Sequence, residues 1–373
     1  MVRRLLLSLP ALLLVGCGAH PADDPVDRAS GSTPLPSTDG WQPIAESPLG
    51  GRANAVAVWT GEELVVAGGE AQPVCPPAAD CASAGRSSNA AAAYDPETDT
   101  WRELPPAPRA FASGLGVWLG SRALFVTSRS ATFLLDPANG VWSRGPRVPG
   151  YVDGGGLVPA GDDVVRFSYS SRGDGPTDHR FDTATGTWVT LPADPFGESY
   201  DRSMAWLDGR LWLLSMDVEH HFDAHEGSPS RLAVLEDGHW RVVDAETPDM
   251  TQQQWLVPQG DLLVAAENRD PAARNWAYDP TADTWHELAS GEPGNGECRL
   301  GAASAGPSWI TAGDRLVSSQ PADALEVPSC PGHEYYHLVA WAGDRLILWG
   351  GVPSVTSSEP TGDGLVWVPR QPR

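Results

Sequence analysis

The chain of 373 residues contains no lysine, so its 25 basic residues are all arginine, set against 48 carboxylates for a net charge of −23. That balance excludes a nucleic-acid binder, because counterion release needs a dense basic stripe and no such run exists outside the extreme N-terminus. Room for long helices is missing too, since 40 glycines and 35 prolines interrupt the sequence. Hydrophobic residues, at 41%, still suffice for a core. The expectation is an all-β chain of many short strands.

A bilayer-spanning apolar run is also lacking. Arg3 and Arg4 precede an apolar stretch from Leu5 to Val15, shorter than the roughly 20 residues a spanning helix needs. Charge, length and the following small residues read as an export signal over residues 1–16. Leu14-Val15-Gly16-Cys17 resembles a bacterial lipobox, which implies acylation of Cys17 and a lipid-anchored protein at the cell envelope, on the outer face of a membrane or in the periplasm. A plain secretory signal is the alternative. Residues 17–40 are rich in Pro, Ser, Thr, Gly and Asp, and read as a flexible tether reaching roughly 25 to 30 Å. The membrane is met through the lipid alone.

From residue 41 to the C-terminus one phrase recurs. Tyr94-Asp95-Pro96-Glu97-Thr98-Asp99-Thr100-Trp101 returns as Tyr278 to Trp285, as Phe181 to Trp188 and as Leu135 to Trp142, with a weaker copy from Leu235 to Trp240. The tryptophans at 101, 142, 188, 240 and 285 are 41, 46, 52 and 45 residues apart, the spacing of propeller blades. Each phrase makes sense as a hairpin: an apolar strand, an Asp-Pro or Asp-Gly turn, then a strand opened by Trp. Strand pairs precede it, such as Asn54 to Trp59 with Leu64 to Gly69, and Val339 to Ala342 with Leu346 to Gly351.

These phrases together resemble the Kelch repeat: an inner strand ending near Trp-x-Gly, a second closed by Gly-Gly, a Tyr-Asp-Pro turn and an outer strand opened by Trp. Gly-Gly is kept only at Gly68-Gly69 and Gly350-Gly351, with Ala265-Ala266 and Leu214-Ser215 elsewhere. The resemblance implies a seven-bladed Kelch-type β-propeller over 41–373, with six blades as the runner-up. A degenerate sixth blade is expected from Ser308–Ala312, Arg315–Ser319 and Ala324–Pro328, its fourth strand unplaced. Leu365–Val368 lacks an outer partner, which Trp41–Ile44 would supply, closing the ring by pairing the chain ends.

Four cysteines besides Cys17 suit an oxidising compartment, and are paired here as Cys75 with Cys81 and Cys298 with Cys330. A zinc knuckle would need closer spacing. Arg52, Arg109, Arg202 and Arg299 each precede an inner strand. Two readings stand: a ring of guanidiniums at the channel mouth binding a carboxylate or sugar acid, or ties between neighbouring blades. His333, Tyr335 and His337 share one face if their segment is extended, as a polar channel lining or, less simply, a metal site. The run from Glu219 to Glu226 is read as a solvated loop with metal-ligand residue types.

No catalytic residue, metal or cofactor is assigned. The copper set of galactose oxidase, a Kelch-like relative, has no counterpart here. Neither a nucleophile elbow nor a phosphate loop is present, and Asp182 lies four residues before Gly186 where the Asp box of sialidases needs two. The expected function is a binding module for a protein or glycan. The alternatives are an enzyme acting on a sugar or sugar acid at the channel mouth and a purely structural envelope lipoprotein.

Overall fold

The computed structural model describes residues 40–369, apart from 72, 82–84, 151–153, 173–177, 218–227, 251–253, 268–273, 289–302, 306–308, 313–314, 318–323, 327–332 and 334. Among these residues every regular element is a β-strand. The strands pair antiparallel into several separate four-stranded sheets, consistent with a propeller. Gly114–Trp118, Ala123–Thr127, Thr132–Asp136 and Val141–Arg144 form a simple meander typical of them. The expected fourth strand of the degenerate repeat is Ala303–Ala305, which pairs with Trp309–Ala312. Its Ala-Ser-Ala sequence carries no strand signal of its own.

The last sheet is completed from the other end of the chain. Gln42 pairs with Val366 and Pro43 with Leu365, so the first strand covers the outer edge of Gly364–Trp367.

The recurring phrase folds as a hairpin whose geometry explains its residues. Asp95 pairs with Thr100, and the Asp95 carboxylate accepts the Glu97 and Thr98 amides, an Asx turn that starts the loop. In the four full copies of the phrase the residue two before Trp is left-handed: Asp99 (φ 51°), Asp283 (φ 54°), Gly140 (φ 65°) and Gly186 (φ 68°). Glycine takes that conformation freely, whereas aspartate needs compensation. Where aspartate stands there, a tyrosine five residues earlier donates its hydroxyl to it: Tyr94 to Asp99 at 2.8 Å and Tyr278 to Asp283 at 2.7 Å. Where glycine stands there, that earlier residue is Leu135 or Phe181, which has no hydroxyl to place.

Apolar burial occurs between sheets rather than in one central core. One cluster joins Val65 and Ala93 to Phe125 and Leu135 of the next sheet, another joins Val117 and Leu134 to Val164 and Phe181. The marker tryptophans stitch the same seams. Trp101, Trp142, Trp188 and Trp240 donate their indole N–H to the carbonyls of Ala45, Pro105, Pro146 and Pro192, each just past the outer strand of the preceding sheet. The Trp285 N–H is buried and makes no such bond.

Neighbouring inner strands are also linked through the backbone. Asn54, Ser113, Asp201 and Tyr336 each lie five residues before an inner-strand Trp, and all four are left-handed (φ 47–56°). The Asn54 N–H donates to the Tyr336 carbonyl at 2.8 Å, and the Ser113 N–H to the Asn54 carbonyl at 2.9 Å.

Candidate functional site

Cys17, Cys298, Arg299, Cys330 and the run 219–226 lie outside the described residues. Cys75 and Cys81 are joined, with Cα atoms 5.8 Å apart.

Arg202 is fully buried. Its guanidinium reaches Asp178 at 2.7 Å and Asp194 at 2.8 Å, and donates to the Ser168 carbonyl at 2.9 Å. The two carboxylates more than offset the burial, so its pKa stands above the ordinary arginine value. An arginine held this way ties Ser168 and Asp178 to the irregular start of Glu198–Leu207, where register shifts between Tyr200 and Ser203. It offers no outward-facing guanidinium to a ligand.

Arg52, His333, Tyr335 and His337 are brought together, but around backbone. The Arg52 carbonyl accepts from Gly351 N–H at 2.7 Å, His333 Nδ1 lies 2.7 Å from the Gly350 carbonyl, and Tyr335 bridges Val352. Burial lowers the Arg52 pKa. The shared strand face expected of Tyr335 and His337 is interrupted, because Tyr336 between them is left-handed and breaks the two-residue alternation. The glycine pair is required by closeness: a Cβ on Gly350 would sit 2.5 Å from the Arg52 carbonyl oxygen, and one on Gly68 would sit 2.6 Å from that of Phe111. Gly-Gly thus lets the next sheet's chain approach, at Phe111 as at Arg52.

Arg109 occupies a different setting. It lies on the connection between two sheets, exposed at a crest that is pinned on both sides: Ala107 N–H donates to Asn89 and Phe111 N–H to Ser88. Beside it opens a cleft of about 490 Å³ that Arg129 and Arg147 also line, together with Glu70 and Ser113. Arg129 sits in the tight turn after Thr127, closed by the Ser130 N–H to Thr127 carbonyl bond and by left-handed Ser130. Arg147 is fixed by its neighbour Val148, which is buried and donates its N–H to Ser130, and its own guanidinium donates to the Arg129 carbonyl.

Among the described residues none of these three arginines forms an ion pair, whereas Arg102, Arg180, Arg202, Arg210, Arg241 and Arg345 all do. Arg52, Arg86, Arg122, Arg144 and Arg166 likewise form no ion pair among the described residues, so what distinguishes this cleft, in a chain with nearly two carboxylates per arginine, is that three such guanidiniums are gathered in one place. They can hold an anion by charge-assisted, bidentate hydrogen bonds. The cleft is of the size small-molecule sites have.

No protein-family model matches the chain, and no curated protein matches its sequence. The site must therefore be read from its own chemistry.

Of the three arginines singled out on sequence that are among the described residues, Arg52, Arg109 and Arg202, only Arg109 lines this cleft. Arg129 and Arg147 lie outside the repeating phrase, in the turn after Ala123–Thr127 and just past Val141–Arg144 of one sheet, and only the pairing of that sheet's strands makes them neighbours. A second depression, about 770 Å³, lies by Trp118 and the carboxylates of Asp162, Asp163 and Asp182. Asp163 there already pairs with Arg180 at 3.2 Å.

Proposed function

We propose that this chain is an exported, lipid-anchored, Kelch-like seven-bladed β-propeller that binds an anionic ligand in the cleft of Arg109, Arg129 and Arg147. Three observations support the architecture. The described strands fall into seven sheets, and the chain ends pair within one of them. The inner strands touch in cyclic order, Ala53–Trp59 to Gly114–Trp118, Gly156–Ala160, Glu198–Leu207, Gln254–Gln259, Ala303–Ala305, Leu338–Ala342 and back to the first. Export and the anchor at Cys17 rest on the lipobox-like sequence, with which the Cys75–Cys81 bond agrees.

The single observation that carries the binding reading is the set of three arginines without carboxylate partners. A rigid frame with loops gathered at one end presents such a group without chemistry of its own. The ligand is a glycan or protein segment bearing negative charge. Binding of the full chain in detergent to acidic and neutral glycan arrays tests this. Retention of acidic ligands, weakened by added salt and by Arg109→Ala, is the expected result. Equal retention of neutral ligands, or indifference to Arg109→Ala, overturns it. Radiolabelled palmitate incorporated into the wild type and absent from Cys17→Ala tests the anchor separately.

A further inference from the structure

The cleft holds one group that works against a simple anion site. Glu70 lines it together with the three arginines, and its side chain is half-buried there, with Oε2 at 3.5 Å from Asn54 Nδ2. A carboxylate placed against an incoming anion costs affinity unless the ligand gives something back. What a carboxylate accepts is hydrogen-bond donors. Ser87, Ser113, Thr127 and Ser128 line the same walls; the Thr127 hydroxyl accepts the Ala131 N–H and the Ser128 hydroxyl donates to the Ala112 carbonyl, which leaves the first a proton and the second its lone pairs.

Resting on the reading of the cleft as an anion site, we propose that its ligand is a hydroxylated carboxylate, a uronic-acid residue of an acidic polysaccharide. The arginines take the carboxylate, while Glu70 and the wall hydroxyls take the ring hydroxyls. A fully ionised sulfate has no proton to offer Glu70 and adds repulsion. A neutral hexose satisfies Glu70 but leaves the guanidiniums with water. Only a ligand with both an acid and vicinal hydroxyls complements the whole lining. Flat carboxylate geometry also matches the guanidinium fork.

The test is isothermal titration of the full chain in detergent with four probes: oligogalacturonate, the corresponding neutral oligogalactose, inorganic sulfate and dextran sulfate. Oligogalacturonate is expected to bind, with the other three at least tenfold weaker. Arg147→Ala and Arg109→Ala should each weaken it roughly ten- to hundredfold, the range for losing a hydrogen bond to a charged group. Glu70→Gln should weaken oligogalacturonate and strengthen sulfate, a reversal that a folding defect does not produce. Near-ultraviolet circular dichroism checks that each variant keeps its indole packing.

If dextran sulfate or free sulfate binds as tightly as oligogalacturonate, the uronic-acid assignment fails while the anion site stands. If oligogalactose binds equally, the assignment also fails. If none of the anions binds, both the assignment and the anion reading of the cleft fall.

Discussion

Trp101 donates its indole N–H to the carbonyl of Ala45 at 2.9 Å, and two residues earlier Asp99 accepts the Ala45 N–H at 2.8 Å. One residue near the start of the described chain is thus held at both its backbone polar groups by a single hairpin. The same Asp99 oxygen receives the Tyr94 hydroxyl, and Trp101 packs 5.9 Å from Trp349 of the last sheet. The hairpin therefore fastens the strand that completes the final sheet. At the other seams a Trp bond serves with fewer partners, which makes them suitable for isolating its worth.

Trp142→Phe keeps an aromatic ring against Phe125, now 5.4 Å away, and removes only the donor to the Pro105 carbonyl. We expect a loss of about 1 kcal/mol, and roughly 3 kcal/mol for Trp142→Ala, where packing goes as well. Urea denaturation followed by fluorescence measures both. Equal costs for the two variants would mean that the ring, rather than its position in the seam, is dispensable.

The Tyr278 and Asp283 pair predicts a coupling. Tyr278→Phe alone strips Asp283 of its donor, and Asp283→Gly alone strands a hydroxyl whose burial already holds the phenol well above its ordinary pKa. The double variant recreates the Phe181 and Gly186 combination found elsewhere in the chain. A double-mutant cycle should return a coupling of about 1 kcal/mol. Additive costs would show that the two positions are independent.

Gly68 and Gly209 share a φ of +74°, but a Cβ on Gly68 meets the Phe111 carbonyl at 2.6 Å while one on Gly209 meets nothing within 4 Å. Gly68→Ala is expected to cost roughly 2 to 4 kcal/mol, from backbone strain plus collision. For Gly209→Ala, strain alone predicts about 1 kcal/mol. Matched unfolding midpoints would contradict the close approach of the neighbouring sheet.

His179 is buried, and desolvation outweighs the nearby Asp178 carboxylate to hold its pKa below the usual value, with Arg166 adding to the lowering. Below a pH of about 6.5 the unfolded chain takes up a proton that the folded chain refuses, so stability is full above that pH and declines as pH falls towards the folded pKa. Thermal unfolding between pH 7.5 and 5 should show this slope, reduced in His179→Gln. An unchanged slope in that variant would place the pH response on other groups.

The repeating phrase, the marker tryptophans and the Gly-Gly pairs were legible in the sequence because they answer local demands: a turn that needs a left-handed residue, a strand that needs an apolar face. The pairing of the chain ends was legible for a related reason, since a strand without its partner leaves an edge to be covered. The left-handed Tyr336 was not legible, because a β-rich segment with two histidines and a tyrosine reads as extended unless neighbouring backbone imposes a bend. From sequence Arg202 could be read as ligand or tie, with the tie favoured in so acidic a chain, and its encounter with Asp178 and Asp194 shows it to be a tie.

Sequence by itself determined that this chain would form short antiparallel strands punctuated by turns, since periodicity and turn chemistry act over a few residues. Tertiary structure alone decided which arginines stand unpaired beside one another. Arg109, on the connection into a sheet, meets Arg129 and Arg147 from that sheet's own loops, and whether a charge finds a partner depends on distances that no local pattern encodes.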